Sequence, residues 1–182
     1  MKTLILYVSK TGNTKAYAEA IAEALGTEAY PLKSVKPKKW REYDTIVFGS
    51  WIMGGKIQEI DRFFQGWDEI SDKNVIVFAD GMGMPDAQTR RDLITSNLLD
   101  LYHIRFYQLR GSFDYSRLGF FHRTILDLTM KRMANDPSQA ATLDVLERFK
   151  ETPLVYFDQE KIDYIISVIR NLAIEVPSKE KL

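Results

Sequence analysis

Six consecutive residues, Ser9-Lys10-Thr11-Gly12-Asn13-Thr14, bring three hydroxyls, an amide and a glycine into one short turn. Residues of these types can hold a phosphate. The hydroxyls supply neutral hydrogen bonds, and the glycine leaves the backbone open to close approach. The first N–H groups of a following helix lack partners within the helix, and the helix dipole favours an anion beside them. The alternative is plain helix capping, for which Ser, Thr and Asn are also the preferred residues. A cap needs one such side chain, whereas Ser9, Thr11 and Asn13 stand at alternating positions, so phosphate binding is the expectation. Neither G-x-G-x-x-G nor the P-loop pattern G-x-x-x-x-G-K-[ST] is present, and Lys10 stands too early to be a P-loop lysine.

Such a turn works only if a strand enters it and a helix leaves it. Thr3–Val8 is an apolar run that reads as a buried strand, and Lys15–Leu25 is an alanine-rich helical stretch stopped by Gly26. Further strands are expected at 28–32, 45–48, 75–78 and 104–109, with helices at 57–65, 86–101 and 159–172. Strands alternating with helices imply right-handed crossovers and a parallel sheet covered on both faces. The strand order 2-1-3-4-5 is one of the two common solutions, and it places ligands at the carboxyl ends of the strands.

That rule directs attention to the residues after the third and fourth main strands. They are Ser50, Trp51, Ile52, Met53, Gly54 and Gly55 in one loop, and Asp80, Gly81, Met82 and Gly83 in the other. Both loops pair glycines with large apolar side chains, a combination suited to a flat, partly hydrophobic ring whose polar edge meets backbone amides. Trp51 could stack on such a ring or lie beneath the loop as a core residue.

Composition narrows the chemistry. The 182-residue chain has the length of one domain with a single core, and its 25 basic and 25 acidic residues leave no net charge to favour nucleic acid. It has no cysteine, which excludes disulfides, protein-ligated iron–sulfur clusters, thiolate metal sites and thiol catalysis. Redox work would then belong to a bound cofactor. No metal site and no catalytic side chain are expected: His103 reads as the end of a helix and His122 as a solvated residue of a basic segment. No apolar run approaches the ~18 residues of a membrane span, so the expectation is a soluble cytoplasmic protein, at most peripheral to the inner face of the membrane.

The turn resembles the phosphate loop of the flavodoxin family, [Ser/Thr]-x-Thr-Gly-x-Thr, through Ser9, Thr11, Gly12 and Thr14. The resemblance implies a flavodoxin-like, doubly wound, five-stranded parallel sheet and FMN as cofactor, its terminal phosphate in this loop. It also implies that a glycine at position 54 or 55 presents its carbonyl to the flavin N5. Between the last strand and the last helix, however, residues 111–157 form a helical insertion within the 1–182 domain. Leu118, Phe121, Ile125, Leu128 and Arg132 make one stripe there, flanked by Arg110, Arg117, Arg123 and Lys131. An extra packing helix, a lid and a peripheral membrane contact through 117–133 are all open readings.

A more particular similarity links the chain to the flavodoxin-like, menaquinone-dependent protoporphyrinogen oxidases. It is carried by Met1–Leu6, by Gly49-Ser50-x-Ile52-x-x-Gly55, by Gly111–Tyr115 with the basic-aromatic helix that follows, and by Val155–Asp158. This implies an FMN-dependent oxidoreductase that takes electrons from a small reduced substrate, a step of heme biosynthesis, and passes them to a quinone-type acceptor. An electron carrier or a nicotinamide-dependent quinone or FMN reductase is the alternative. A carrier is expected to be strongly acidic, and this chain is neutral.

Overall fold

The computed structural model describes residues 1–82, 85–112 and 114–174. Gly83, one of the expected ring contacts, lies outside the described residues. The chain divides into two compact units, one of residues 1–111 with 157–182 and one of Ser112–Tyr156.

In the first unit the strands are β1 (Thr3–Tyr7), β2 (Ala29–Pro31), β3 (Thr45–Met53), β4 (Lys56–Ile57), β5 (Asn74–Gly81) and β6 (Arg105–Arg110). The order is β2-β1-β3-β5-β6, all parallel, with β4 added to β3 as an antiparallel stub. Setting β4 aside, this is the expected order. Helices α1 (Asn13–Leu25), α2 (Ile60–Phe64), α3 (Ala87–Ser96) and α6 (Gln159–Ile174) cover the sheet.

The central strands β1, β3 and β5 are apolar at most positions because both faces are buried. Leu4, Leu6, Ile46, Phe48, Val75 and Val77 face Trp40, Phe63 and Leu93 on one side. Ile5, Val47, Ile76 and Phe78 face Tyr17, Ala18 and Ile21 of α1 and Ile162, Ile165 and Ile169 of α6 on the other. This alternation is the two-residue period of a strand, and each large side chain so buried is worth ~1.5–3 kcal/mol. Phe63 stacks on Phe48 at 4.6 Å and on Trp40 at 5.4 Å, forming the aromatic centre of its layer.

α1 forms where alanines recur at every second position, the best helix formers available. It ends in a Schellman arrangement in which Gly26 takes φ 65°, its N–H reaching Glu23 O, while the Thr27 N–H reaches Ala22 O at 3.0 Å.

Several boundaries differ from the sequence expectation, and β5 runs on to Gly81, so Asp80 and Gly81, expected in a loop, end a strand. The segment expected to loop after the third strand continues as strand to Met53 and returns through β4, so the expected helix at 57–65 shrinks to α2. The reason is a two-residue hairpin at Gly54-Gly55, where φ is 57° and 74°, the left-handed pair that a tight turn between twisted strands requires. The helix expected at 86–101 stops at Ser96, where Asn97 turns its amide back onto the Leu93 carbonyl and takes the Ile57 N–H on its oxygen.

The second unit, Ser112–Tyr156, contains α4 (Phe120–Met133) and α5 (Ala140–Glu151). The striped helix was expected within it, whereas α5 was not separately foreseen. Tyr115 organises the unit: its hydroxyl donates to Asp127 at 3.0 Å, and its ring lies under Lys150 Nζ at 4.9 Å and the Arg123 guanidinium at 5.3 Å. Lys150 closes the group through a 2.8 Å ion pair with Asp127. The two ends of the unit are clasped by Ser112, whose hydroxyl donates to Tyr156 O at 2.8 Å and accepts from Tyr156 N–H at 2.9 Å.

Candidate functional site

β1 and β3 are neighbours, and the chain leads from them to opposite sides of the sheet. The Ser9–Thr14 turn therefore hangs over the switch point, where this class of sheet opens a crevice. Gly12 takes φ 96° and caps α1 with no side-chain hydrogen bond, and α1 has no acidic residue in its first turn. A Cβ on Gly12 would meet nothing within 4 Å, so the approach to the helix start is clear. Its N–H donates to Ser9 Oγ at 3.2 Å, which folds the turn on itself. A helix start without its own cap or acid, facing open space, fits a phosphate. Beside the turn lies a crevice of about 370 Å³, lined among others by Val8, Ser9, Gly12, Lys15, Lys33 and Glu59.

Side chains of the turn divide into two groups. Ser9, Lys10 and Thr11 remain at least partly exposed. Asn13 and Thr14 point inward, where Asn13 Nδ2 donates to Asp80 Oδ2 at 2.7 Å and Thr14 Oγ1 donates to Asp80 Oδ1 at 2.6 Å. Asp80 comes to lie under α1 because β5 alternates. Val75, Val77 and Ala79 face one layer, and Ile76, Phe78 and hence Asp80 face the layer that α1 covers. Asp80 is 5% exposed. Burial pushes its pKa above the usual carboxylate range, and the hydrogen bonds from Thr14 and Asn13 pull back against that rise.

The other expected ring contacts lie on the β3–β4 hairpin and the end of β5. Ser50 is buried with its hydroxyl donating to Gln58 O at 2.7 Å, so it braces the hairpin. Trp51 and Ile52 are half-buried, and Trp51 stands in register with Asp80. Met53 is exposed at the hairpin end, and Gly54 and Gly55 have open space where side chains would be. Gly81 packs against Ile52, and Met82 is half-buried beyond it. Among the described residues no group of His, Asp or Glu is arranged to hold a metal ion.

Two residues not singled out as functional matter here. Tyr17, one helical turn after Thr14 and wholly buried, donates its hydroxyl to Arg110 O at 2.7 Å and accepts the Asp158 N–H at 2.9 Å. It thus ties α1 to the end of β6 and the start of α6. Its spacing from Thr14 marks the buried face of α1, but nothing in the sequence announces those two partners. Gly111 is the second. A Cβ there would stand 3.1 Å from Asp80 Oδ2 and 3.2 Å from the Gly81 backbone, so a small residue is required beside the carboxyl.

A family model described as a flavodoxin domain matches residues 4–140. An uncharacterized protein of Methanocaldococcus jannaschii is 39% identical over 79 residues, 43% of this chain and 51% of that protein, so the chain spans about half the length of the curated relative it matches. Among solved structures, a flavodoxin from the domain Archaea is 20% identical with a TM-score of 0.42, covering 60% of this chain and 82% of its own. A flavodoxin, WrbA-like protein from Agrobacterium tumefaciens is 17% identical with a TM-score of 0.45, covering 59% and 82%.

Proposed function

The chain belongs to the flavodoxin domain family, and from that premise we propose that it binds FMN and acts as an FMN-dependent oxidoreductase with a quinone-type acceptor. The observation that carries the cofactor is the start of α1: an uncapped helix N-terminus at Gly12, open to solvent, over the switch point of the sheet. Ser9, Thr11 and the N–H groups of the first helical turn would hold the phosphate. The Gly54-Gly55 hairpin, Trp51 and Met82 would meet the ring. FMN, when bound, supplies the redox chemistry, and the protein contributes anchoring, orientation and exclusion of water. No protein nucleophile is required.

Zero net charge supports an enzyme over a carrier, because carriers dock through a strong charge of one sign. The acceptor reading draws support from α4. Its outward side exposes Phe120 (87%), Phe121 (69%) and Leu128 (53%) with Lys131 and Arg132, a surface suited to an apolar acceptor delivered by an anionic bilayer. No helix of the described residues is long and apolar enough to cross a membrane, so any such contact is peripheral. The likeness to menaquinone-dependent protoporphyrinogen oxidases makes a porphyrinogen the first donor to try.

The test is spectroscopic. Purified protein is expected to be yellow, or to become so with added FMN. Mixed anaerobically with reduced porphyrinogens, nicotinamides and quinols in turn, it should bleach fastest with its own donor and recover its colour with a quinone. A protein that takes up no flavin overturns the cofactor; one that reduces only with a nicotinamide moves the reading to a quinone or FMN reductase.

A further inference from the structure

The turn is backed by a buried carboxyl. Asp80 lies one hydrogen bond behind it, bound to Asn13 at 2.7 Å and Thr14 at 2.6 Å, and it is 5% exposed. An anion arriving at the start of α1 would meet a carboxylate across two neutral side chains in a poorly solvated layer, where like charges repel more strongly than in water.

The two side chains that donate to Asp80 are neutral. From α1 it faces the amide of Asn13 and the hydroxyl of Thr14. From β3 its register neighbour is Trp51, and from β6 it is Leu109, with Gly111 beyond. The nearest cations in sequence on these elements are Lys10, Lys15 and Arg110. Lys15 pairs with Glu19 at 3.5 Å, and burial is the largest cause of the raised Asp80 pKa. The cheapest way to place an anion on the turn is to protonate Asp80. The acid form still accepts a hydrogen bond on its carbonyl oxygen, and its O–H can donate to the Thr14 oxygen or to the Asn13 amide oxygen after a flip.

We infer that Asp80 is a proton-linked positioning residue for the phosphate turn: a phosphorylated ligand binds together with a proton taken from solvent onto the Asp80 carboxyl. The inference rests on the FMN reading above. It assigns the turn a preference for phosphorylated flavin that strengthens as pH falls, opposite in sign to the ligand's own titration. The flavin phosphate loses charge as pH falls through its second pKa near ~6, which weakens rather than strengthens its hold on N–H donors.

The test compares FMN with riboflavin, which carries the same ring without phosphate. Both are titrated from pH 6 to 8.5 by quenching of flavin fluorescence, and proton uptake is counted calorimetrically in buffers of different ionisation enthalpy. For the unmodified protein, FMN affinity should rise on acidification, by at most about tenfold per pH unit for one proton, with net proton uptake on binding. Riboflavin affinity should stay flat. In Asp80→Asn the FMN slope and the proton uptake should vanish. In Asn13→Ala, which removes a donor to the carboxylate, the rise should begin at higher pH. This second variant serves if Asp80→Asn does not fold. A flat FMN profile in the unmodified protein, equal slopes for FMN and riboflavin, or uptake unchanged in both variants overturns the inference while leaving FMN binding intact. Failure to bind either flavin at any pH overturns the cofactor reading and this inference with it.

Discussion

The sheet unit and the Ser112–Tyr156 unit hold together by different means. In the first, wholly buried Ile, Val, Leu and Phe residues pack in two layers, and Thr14, Ser50 and Asp80 are buried at the carboxyl end of the sheet. In the second, Met130 is the one large apolar side chain buried among the described residues, and cohesion comes from Tyr115, Asp127, Lys150 and Arg123. Its aromatic residues Phe120 and Phe121 are turned outward. Apolar burial makes a stable frame that tolerates buried polar residues at its rim. A unit held by exposed charge pairs contributes less stability and leaves its apolar surface available for a partner.

The strongest challenge to that contrast is Phe63→Ala. Loss of the ring stacked between Phe48 and Trp40 should cost ~3–5 kcal/mol in a denaturant titration. A cost below ~1 kcal/mol would mean the aromatic centre is not what holds the layer. Next comes Gly49→Ala, whose Cβ would stand 2.1 Å from the Phe78 ring. Overpacking of this kind should cost ~1–3 kcal/mol, and an unchanged midpoint would show a looser layer than the packing implies.

Phe120→Ser with Phe121→Ser should leave stability within ~0.5 kcal/mol, yet weaken sedimentation with phosphatidylglycerol vesicles by tenfold or more, given ~1.5–3 kcal/mol per buried ring. Equal vesicle binding by the variant removes the membrane reading, and a large loss of stability makes the rings packing elements.

The smallest effect is the response to acid, and its sign differs between the units. Asp127 is held below the usual carboxylate range chiefly by its hydrogen bond from Lys150 and then by Tyr115. Asp136 is held there by Ser138. Their stabilisation is fully present above the ordinary carboxylate pKa and is lost as pH falls through their own lowered values. Asp80 is raised by burial, so its cost is full above its own pKa and is relieved as pH falls toward the ordinary value. Asp86 at the start of α3 is lowered by its bonds from Thr89 and shares the sign of Asp127, so the readout must be local. Amide exchange protection should fall in α4 and α5 on acidification while it holds or rises at the end of β5. The same sign in both places would break the contrast.

Much of the frame could be read along the chain. Apolar runs of four to six residues separated by helical patterns specify a parallel sheet, because only strands buried on both faces lack polar alternation. The turn between β1 and α1 was equally legible, since the residues that end the strand and start the helix act where they stand. The β3–β4 hairpin was not, because Gly54-Gly55 suits a loop as well as a tight turn, and only the pairing of Ile52 with Ile57 decides between them.

Local patterns therefore determined the main strands and helices and the place of the turn between β1 and α1, for each depends on residues within a few positions of one another. Tertiary structure alone decided what lies behind that turn. Asp80 is 66 residues from Thr14, and its meeting with α1 follows from strand register and from which face of β5 the helix covers. No local pattern carries that information, because register is settled by burial on both faces of the assembled sheet.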